Sequence, residues 1–276
     1  MTPTAVYAAS FSPTGTSRKI AGSIARALAG GGAPTEIDLT HPSGREQTLA
    51  ADAAAVIAVP VYGGDVAPTA LERLRSLHGR ATPAVVVVLY GNRAFGRAAV
   101  RLAQVVAEQG FVPVAAAAFV GEHSYSTPRT PIAAGRPDEN DLRQATAFGE
   151  RIREKLLHGA PAPVDAARLK EPRTPLWSLL RFVRFVLAYR RAQKRHPVVL
   201  VPETDERLCT HCGRCATLCP VEAIDRSDCL GTDPARCIRC CACVKGCPVG
   251  ARSLRTPFAA ALARNFSRRK PPVTLL

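Results

Sequence analysis

The stretch CTHCGRCATLCP, residues 209–220, and the stretch CIRCCACVKGCP, residues 237–248, share one cysteine spacing and a closing proline. In each stretch three cysteines stand at gaps of two residues, and a fourth follows directly before the proline. Three thiolates at such gaps can wrap a short loop around one iron–sulfur cubane, because sulfide-bridged iron prefers thiolate ligands. The repeated run therefore predicts two 4Fe-4S clusters.

The fourth ligand of each cubane must come from outside its three-cysteine loop. In two-cluster ferredoxins the last cysteine of each run ligates the cluster of the other run. We therefore expect two metal sites with exchanged fourth ligands. The first comprises Cys209, Cys212, Cys215 and Cys247, and the second comprises Cys237, Cys240, Cys243 and Cys219.

Zinc and disulfides are the rival interpretations of these cysteines. Zinc sites use two ligand pairs separated by a longer gap, whereas each half here is a tight run of four. Disulfides need an oxidising compartment, and the sequence starts without a signal-peptide pattern, so we expect a cytoplasmic protein. Cys229 and Cys241 stand outside the repeated spacing and are expected to be small buried thiols. The alternative for Cys241, which is next to Cys240, is a substitute cluster ligand after damage.

The net charge of +15 is unevenly distributed. Residues 1–167 contain 16 basic and 14 acidic side chains, whereas residues 168–276 contain 21 and 8. An acidic redox protein is the expected partner, because complementary charges raise encounter rates. Simple solvation of a linker and tail explains the same arginines. Nucleic acid is not expected, since no aromatic stacking motif or DNA-binding signature is present.

Five short apolar runs rich in valine and alanine recur in the first half of the chain, at 4–9, 35–39, 54–59, 84–89 and 114–119. Such runs are typical of parallel strands buried on both faces. Stretches with helical spacing lie at 17–29, 68–77, 95–109 and 139–157. This alternation predicts an α/β domain with a doubly wound five-stranded parallel sheet. Residues 47–52 are too few to assign.

Ligands of such sheets bind beyond the carboxyl ends of the strands. The loop after the first run contains small hydroxyl residues and a glycine, namely Ser12, Thr14, Gly15, Thr16 and Ser17. Residues of this kind at a helix start can bind a phosphate, although they also serve as ordinary helix caps. The loop lacks the glycine patterns of dinucleotide-binding loops and of P-loops. A flavin mononucleotide is therefore the phosphate-containing ligand that we expect.

With these loops in view, the chain resembles the bacterial family that fuses a flavodoxin-like domain to a two-cluster ferredoxin, from about residue 5 to residue 270. The resemblance implies that the five loop residues bind the phosphate of FMN. It implies that two further loops enclose the isoalloxazine ring, one with Tyr62, Gly63 and Gly64 and the other with Gly91, Asn92 and Arg93. Arg93 and Arg97 replace the acidic residues of typical flavodoxin ring loops.

The glycine- and proline-containing stretch HGAPAP, residues 158–163, ends the last predicted helix of the first domain and begins a linker. A flavodoxin-like domain is expected at 1–158, a linker with a basic amphipathic helix at 159–197, a small α+β ferredoxin domain with two clusters at 198–256, and a tail at 257–276. The helix covers 176–189 and is expected to pack on one of the domains. An interfacial contact with an anionic membrane is its alternative, and no membrane span is expected.

The function implied is that of an electron-transfer iron–sulfur flavoprotein, which couples one-electron input to flavin reduction. No catalytic side chain is predicted, because the sequence shows neither a nucleophile triad nor paired carboxylates. An FMN- and 4Fe-4S-dependent oxidoreductase would use a small-molecule electron acceptor. Two alternatives stay open: a carrier without a substrate of its own, and a redox sensor or scaffold whose flavodoxin-like domain binds no FMN.

Overall fold

The computed structural model describes residues 1–159 and 162–276. It divides into two compact units. Unit 1 consists of Met1–Glu122, Gly135–Pro172 and Arg269–Leu276, and unit 2 consists of His123–Ala134 and Arg173–Arg268. Part of the linker predicted at 159–197, Ala160 and Pro161, lies outside the described residues.

The secondary structure alternates between strands and helices up to residue 158. The strands are β1 Val6–Ser10, β2 Thr35–Asp38, β3 Gln47–Leu49, β4 Ala54–Tyr62, β5 Asp65–Val66, β6 Leu77–Gly79, β7 Thr82–Tyr90, β8 Phe111–Val120, β9 Glu203–Thr204, β10 Arg252–Ser253 and β11 Val273–Leu275. The helices are α1 Thr16–Leu28, α2 Pro68–Leu74, α3 Ala98–Glu108, α4 Glu139–His158, α5 Leu176–Arg195, α6 Arg214–Thr217, α7 Ala242–Lys245 and α8 Pro257–Asn265, with a 3-10 turn at Ala166–Arg168.

Unit 1 is built on a sheet with the strand order β11-β8-β7-β4-β1-β2, and β5 pairs with the end of β4. The five strands β1, β2, β4, β7 and β8 are parallel. Numbered along the chain, these five have the spatial order 2-1-3-4-5, which is that of flavodoxin-like doubly wound sheets. The predicted fold class of the first half is confirmed, and all five predicted strands are present.

Strand burial explains the apolar runs. Every residue of β7 is buried, because helices cover the sheet on both faces. α1 and α4 pack against each other over one face, with Ile20, Ile24 and Phe148 in a common core. α3 packs against β7 and β8. The approach of α1 and α4 is close at Gly149, where an added Cβ would lie 2.5 Å from the Ile24 carbonyl oxygen.

The structure corrects the prediction in two places. The helix predicted at 68–77 ends at Leu74, because Leu77–Gly79 forms β6 and pairs in parallel with β3, the segment that was too short to assign. The sheet also has a sixth full strand, β11, which pairs antiparallel with the edge of β8. The prediction missed β11, since three residues give no measurable periodicity.

A buried ion pair attaches the C-terminal segment to unit 1. The Arg136 guanidinium pairs with Asp141, and its Nη1 donates to the Lys270 carbonyl at 2.9 Å. Arg269 pairs with Asp138 at 2.6 Å, and Asp138 and Asp141 form the capping box of α4. The Arg269 hydrogen bond holds the pKa of the Asp138 carboxyl well below its usual range. The start of α4 and the entry to β11 are therefore held together.

Unit 2 contains the two cysteine runs, the helix pair α5 and α8, and the loop His123–Ala134. β9 precedes the first cysteine run and β10 follows the second, and the two strands form a short antiparallel pair. The short helices α6 and α7 contain the third cysteines of the two runs, Cys215 and Cys243, and contact each other. No helix among the described residues is long and apolar enough to cross a membrane.

Candidate functional site

The first cavity of unit 2 is lined by cysteines from both runs. It has an empty volume of about 310 Å³, and its thiols are those of Cys209, Cys212, Cys215, Cys247 and Cys229. The first three belong to one run and Cys247 closes the other. The structure thus brings together the four cysteines expected at one cluster, with Cys229 as a fifth thiol.

The second cavity is the counterpart of the first. It has an empty volume of about 300 Å³, and its thiols are those of Cys237, Cys240, Cys243, Cys219 and Cys241. Here Cys219 comes from the first run and the other four from the second. The two cavities exchange their fourth cysteines because α6 and α7 pack side by side, so that each run ends at the other cavity.

Both runs wrap their cavity with the same backbone conformation. The third residue of each run is left-handed, with a φ of 54° at His211 and 57° at Arg239. The fifth is left-handed as well, with 67° at Gly213 and 60° at Cys241. Only glycine adopts this conformation without strain, so three of the four positions store strain. Tight wrapping of this kind suits a loop that surrounds a bound group.

Burial sets the protonation of the second cavity. It raises the pKa of the Cys240 thiol to about 12 and that of Cys243 to about 11, because desolvation disfavours the thiolate. Cys247 lines the first cavity instead, and there hydrogen bonds from backbone N–H groups of residues 249–252 outweigh burial and lower the pKa of its thiol. Because thiolates and not thiols bind metal, these thiols would lose their protons when a metal centre binds.

The Arg252 side chain links the segment before the first run to the segment between the two runs. It is buried, and its Nη1 donates to the Thr204 hydroxyl at 3.0 Å and to the Cys229 carbonyl at 2.8 Å. Its Nη2 donates to the Pro202 carbonyl and to the Thr232 hydroxyl. No local pattern predicts this role, because the four acceptors lie 20 to 50 residues away.

Two side chains beside the first cavity could join a metal ligand set. The ligand atoms of Cys209, His211 and Cys229 lie within 4.8 Å of one another. His211 is exposed, while Cys229 is 4% exposed. Cys241 is 2% exposed, so both extra cysteines are the buried thiols that the sequence predicted.

The predicted phosphate loop lies at the carboxyl end of β1 and begins α1. Gly15 precedes the helix with a φ of 82°, and no side chain caps the helix start at that residue. The Ser12 hydroxyl accepts from the Arg18 N–H at 3.0 Å, while the Ser12 N–H donates to the Thr40 hydroxyl at 2.9 Å. These bonds hold the loop around the helix N-terminus, where the dipole favours an anion.

One polar atom of this loop is unaccounted for. The Ser17 hydroxyl is buried, and it has no hydrogen-bond partner among the described residues. A buried hydroxyl without a partner is costly, so its presence in the first turn of α1 fits a ligand that supplies the acceptor. Thr14 and Thr16, the other hydroxyl residues of the loop, are half-buried beside it in sequence.

The two predicted ring loops meet in unit 1. Tyr62, Gly63, Gly64 and Asp65 form the tight turn between β4 and β5, in which both glycines have positive φ. The Gly64 carbonyl accepts from the Arg97 N–H at 3.0 Å, which joins this turn to the loop after β7. An added Cβ at Gly96 would lie 2.2 Å from the Gly64 oxygen, so this contact needs glycine.

The loop after β7 contains the other three predicted ring residues. Gly91 follows the end of β7, Asn92 is 2% exposed with a φ of 63°, and Arg93 is half-buried. The Arg93 guanidinium lies 3.5 Å from the position of an added Cβ at Gly64. Arg93 therefore faces the β4–β5 turn.

Two residues distant in sequence support this loop and were not predicted. The Glu171 carboxylate accepts from the Gly96 N–H at 2.5 Å, and the Lys270 ammonium donates to the Arg93 carbonyl at 2.5 Å. Lys270 is 5% exposed, and this burial lowers the pKa of its ammonium. No local pattern marks such residues, because they act through contacts 75 and 177 positions away.

The segment after β8 divides between the units. Gly121 lies against α1, since an added Cβ there would be 3.2 Å from Thr16 Cβ. From His123 the chain belongs to unit 2, where the Ser126 carbonyl accepts from Lys245 at 2.8 Å. Burial, and then the neighbouring Cys241, raise the pKa of the Tyr125 phenol. The long loop is therefore packed against the second cysteine run.

Comparisons with known proteins give one family match and several similar solved structures. A family model described as a 4Fe-4S binding domain matches residues 202–225. A search of curated proteins gives no match. Among solved structures, the chain is similar to a flavodoxin from the domain Archaea, with 16% identity and a TM-score of 0.36, over 56% of this chain and 99% of that chain.

Two further solved structures are similar to this chain. One is an NADH:FMN oxidoreductase in its apo form, with 13% identity and a TM-score of 0.40, over 59% of this chain and 96% of that one. The other is the rubredoxin oxygen:oxidoreductase of Desulfovibrio gigas, with 15% identity and a TM-score of 0.33, over 57% of this chain and 38% of that one. This chain thus contains a ferredoxin-type 4Fe-4S binding region, and the strand order of unit 1 identifies a flavodoxin-like fold.

Proposed function

We propose that this chain is an electron-transfer iron–sulfur flavoprotein that holds two 4Fe-4S clusters in unit 2 and FMN in unit 1. One observation carries the proposal: unit 2 has two cavities, and each is lined by three cysteines of one run and the last cysteine of the other. This is the ligand arrangement of two-cluster ferredoxins. When bound, 4Fe-4S clusters carry single electrons and FMN carries one or two, which allows conversion between the two kinds of transfer.

The residues of unit 2 contribute binding, orientation and exclusion of water. Eight cysteines supply four thiolates to each cavity, and backbone N–H groups of residues 249–252 direct hydrogen bonds to the Cys247 sulfur. Such bonds stabilise negative charge on sulfur and so raise the reduction potential of an attached centre. Arg252 fixes the β9–β10 end of the unit against the carbonyl of Cys229.

The residues of unit 1 fit FMN at both of its ends. Ser12, Thr14, Gly15, Thr16 and Ser17 would hold the phosphate, and the unpartnered hydroxyl of Ser17 supports this assignment. The turn Tyr62–Gly64 and the loop Gly91–Arg93 would enclose the ring. The Arg93 guanidinium would stabilise negative charge at the pyrimidine edge of a reduced ring.

The partner that fits this chain best is an acidic redox protein. The basic excess lies in residues 168–276, and complementary charges speed the encounter of redox partners. A small-molecule acceptor would make the chain an oxidoreductase. Stopped-flow oxidation of the reduced protein by quinones, nitro compounds and oxygen, compared with oxidation by an acidic redox protein, separates an enzyme from a carrier.

Quantification of iron, sulfide and flavin in anaerobically purified protein tests the proposal. We expect about eight irons, about eight sulfides and about one FMN per chain, as two cubanes and one flavin require. Zinc without sulfide would contradict the clusters. A chain with full iron and sulfide that takes up no added FMN would contradict the flavin, and would leave the sensor or scaffold function.

A pair of serine variants tests the phosphate loop specifically. Ser17→Ala removes the unpartnered hydroxyl and should weaken FMN binding about tenfold, since a hydrogen bond to a charged group contributes about 1.5 kcal/mol or more. Ser23→Ala is the matched control, because the Ser23 hydroxyl lies in the same helix and donates to the Lys19 carbonyl at 3.0 Å. Equal FMN affinities of the two variants would contradict the assignment.

A further inference from the structure

Helix α5 has an apolar face that packs within unit 2. The rings of Phe182 and Phe266 lie 5.1 Å apart, and those of Phe185 and Phe258 also lie 5.1 Å apart, both edge to face. Tyr189 lies 4.9 Å from the Phe258 ring. One face of α5 is therefore held against α8 by aromatic contacts, which fixes the direction of the opposite face.

The opposite face is apolar as well, and it is exposed. Leu176, Leu180, Val183 and Leu187 recur at intervals of four, three and four residues, which places them on one stripe of the helix. Their exposed fractions are 68%, 45%, 51% and 49%. Trp177 stands beside the first of them and is 76% exposed. An exposed apolar stripe of this length on a 20-residue helix indicates an interaction surface.

Basic side chains flank this exposed stripe. All are exposed, and they are Arg181, Arg184, Arg190, Arg191, Lys194 and Arg195. The sequence of α5 contains no acidic residue. A second copy of α5 would bring six more cations against these six, which disfavours self-association through this face. A surface that complements both the apolar stripe and the flanking cations has a negatively charged outer layer over an apolar interior.

We propose that the exposed face of α5 lies on an anionic lipid bilayer. The leucine and valine side chains would enter the boundary between headgroups and acyl chains, while the flanking arginines pair with lipid phosphates. Trp177 is of the residue type that favours this boundary. The helix, about 30 Å long, would lie in the plane of the surface. The proposal is independent of the cofactors and assigns the chain a peripheral membrane contact.

Vesicle binding of the full-length holoprotein tests the proposal. Vesicles of phosphatidylglycerol and phosphatidylcholine should sediment the protein, vesicles of phosphatidylcholine alone should bind it far more weakly, and salt should release it. Trp177 is the only tryptophan of the chain, so its emission should shift to the blue when anionic vesicles are added. Absence of sedimentation with anionic vesicles would overturn the proposal, even where an acidic protein binds the same face.

Variants locate the contact on α5. The double variant Arg184→Gln with Arg191→Gln should lower the partition coefficient roughly 30-fold, because each basic side chain at an anionic surface contributes about fivefold. Leu180→Gln with Leu187→Gln should lower it at least about tenfold, since each leucine loses its apolar burial.

The matched control removes the same kinds of side chain from α4. Arg151 and Leu157 are both exposed there, and Arg151→Gln with Leu157→Gln should bind vesicles as the unmodified protein does. Equal loss in the α4 and α5 variants would refute a contact through α5. A dimer in light scattering that the leucine variants convert to monomers would also refute it, because a second copy would then cover the stripe.

Discussion

Exchange of the fourth cysteines between the two cavities makes a prediction that double variants can decide. Each cavity is lined by four cysteines of the repeated pattern, and loss of one ligand should release that cluster. We choose alanine, because a serine oxygen can substitute for a thiolate. Each single variant should lose half of the iron, about four of eight atoms per chain, since each cubane holds four.

The double variants distinguish exchanged from local ligation. Cys215 and Cys247 line the same cavity, so Cys215→Ala with Cys247→Ala should retain about half of the iron, as either single variant does. Cys215 and Cys219 line different cavities, so their double variant should retain almost none. Local ligation within each run requires the opposite pattern of iron content.

The assay is iron and sulfide quantification after anaerobic purification, with EPR of the reduced protein to identify the remaining cluster. The single variants Cys215→Ala and Cys247→Ala should leave the same spectrum, and Cys219→Ala should leave a different one. Cys241→Gly is the control, because Gly213 occupies the equivalent left-handed position of the first run. It should retain both clusters. Near-complete iron loss in the Cys215–Cys247 double variant would refute the exchanged arrangement.

Three further predictions concern the supports of the two units. Gly96→Ala places a Cβ against the Gly64 oxygen, so it should destabilise unit 1 by about 2 kcal/mol or more in urea unfolding and weaken FMN binding. Asp138→Asn removes the ion pair with Arg269. Because this pair lowers the folded-state pKa of Asp138, its contribution is present above about pH 4 and is lost as the pH falls further. The difference in urea midpoint between the variant and the unmodified chain should therefore be largest near pH 7 and shrink towards pH 2. Arg252→Met leaves buried acceptors without a donor and should cost unit 2 about 3 kcal/mol, measured as a lower thermal midpoint and faster iron loss to a chelator.

Matched controls separate these effects from general damage. Gly135 also has a positive φ, 74°, and nothing lies within 4 Å of an added Cβ there. Gly135→Ala should therefore cost only the free energy of placing alanine in the left-handed conformation. Glu139→Gln removes an exposed carboxylate of the same helix end and should leave the pH profile unchanged. Arg255→Met, at an exposed arginine near β10, should leave the iron loss unchanged. Equal stabilities of Gly96→Ala and Gly135→Ala would contradict the steric argument. An effect of Asp138→Asn that does not change with pH would contradict the ion-pair argument. A rate of iron loss to the chelator that Arg252→Met leaves unchanged would contradict the role of Arg252.

The parts of the site that sequence reasoning reached are those set by short chain segments. The spacing from Cys209 to Cys215 limits which atoms can surround one centre, whatever the rest of the chain does. The loop 12–17 was recognised because a strand, small hydroxyl residues and a helix start follow one another directly. Such features depend on covalent spacing and local periodicity, so they can be read without a structure.

Other parts of the site depend on contacts across long sequence separations. Glu171 reaches Gly96, Lys270 reaches Arg93, and Arg252 reaches Cys229, yet none of them stands in a recognisable pattern. A single long-range hydrogen bond produces no periodic pattern in the sequence. The roles of Glu171, Lys270 and Arg252 are therefore visible only in the three-dimensional structure.

Local patterns predict the two cysteine loops and the five parallel strands, because ligand reach and burial on both faces constrain neighbouring residues, while phosphate binding by the loop 12–17 stays a prediction. Three features become visible only in the folded chain: β11 extends the sheet, residues 123–134 pack with the second cysteine run, and α5 keeps one apolar face exposed. The physical reason is the same in all three cases. The surroundings of an edge strand, a loop or a second helix face are formed by segments distant in sequence. Local helix and strand propensities are the same whatever those surroundings are, so they do not predict them.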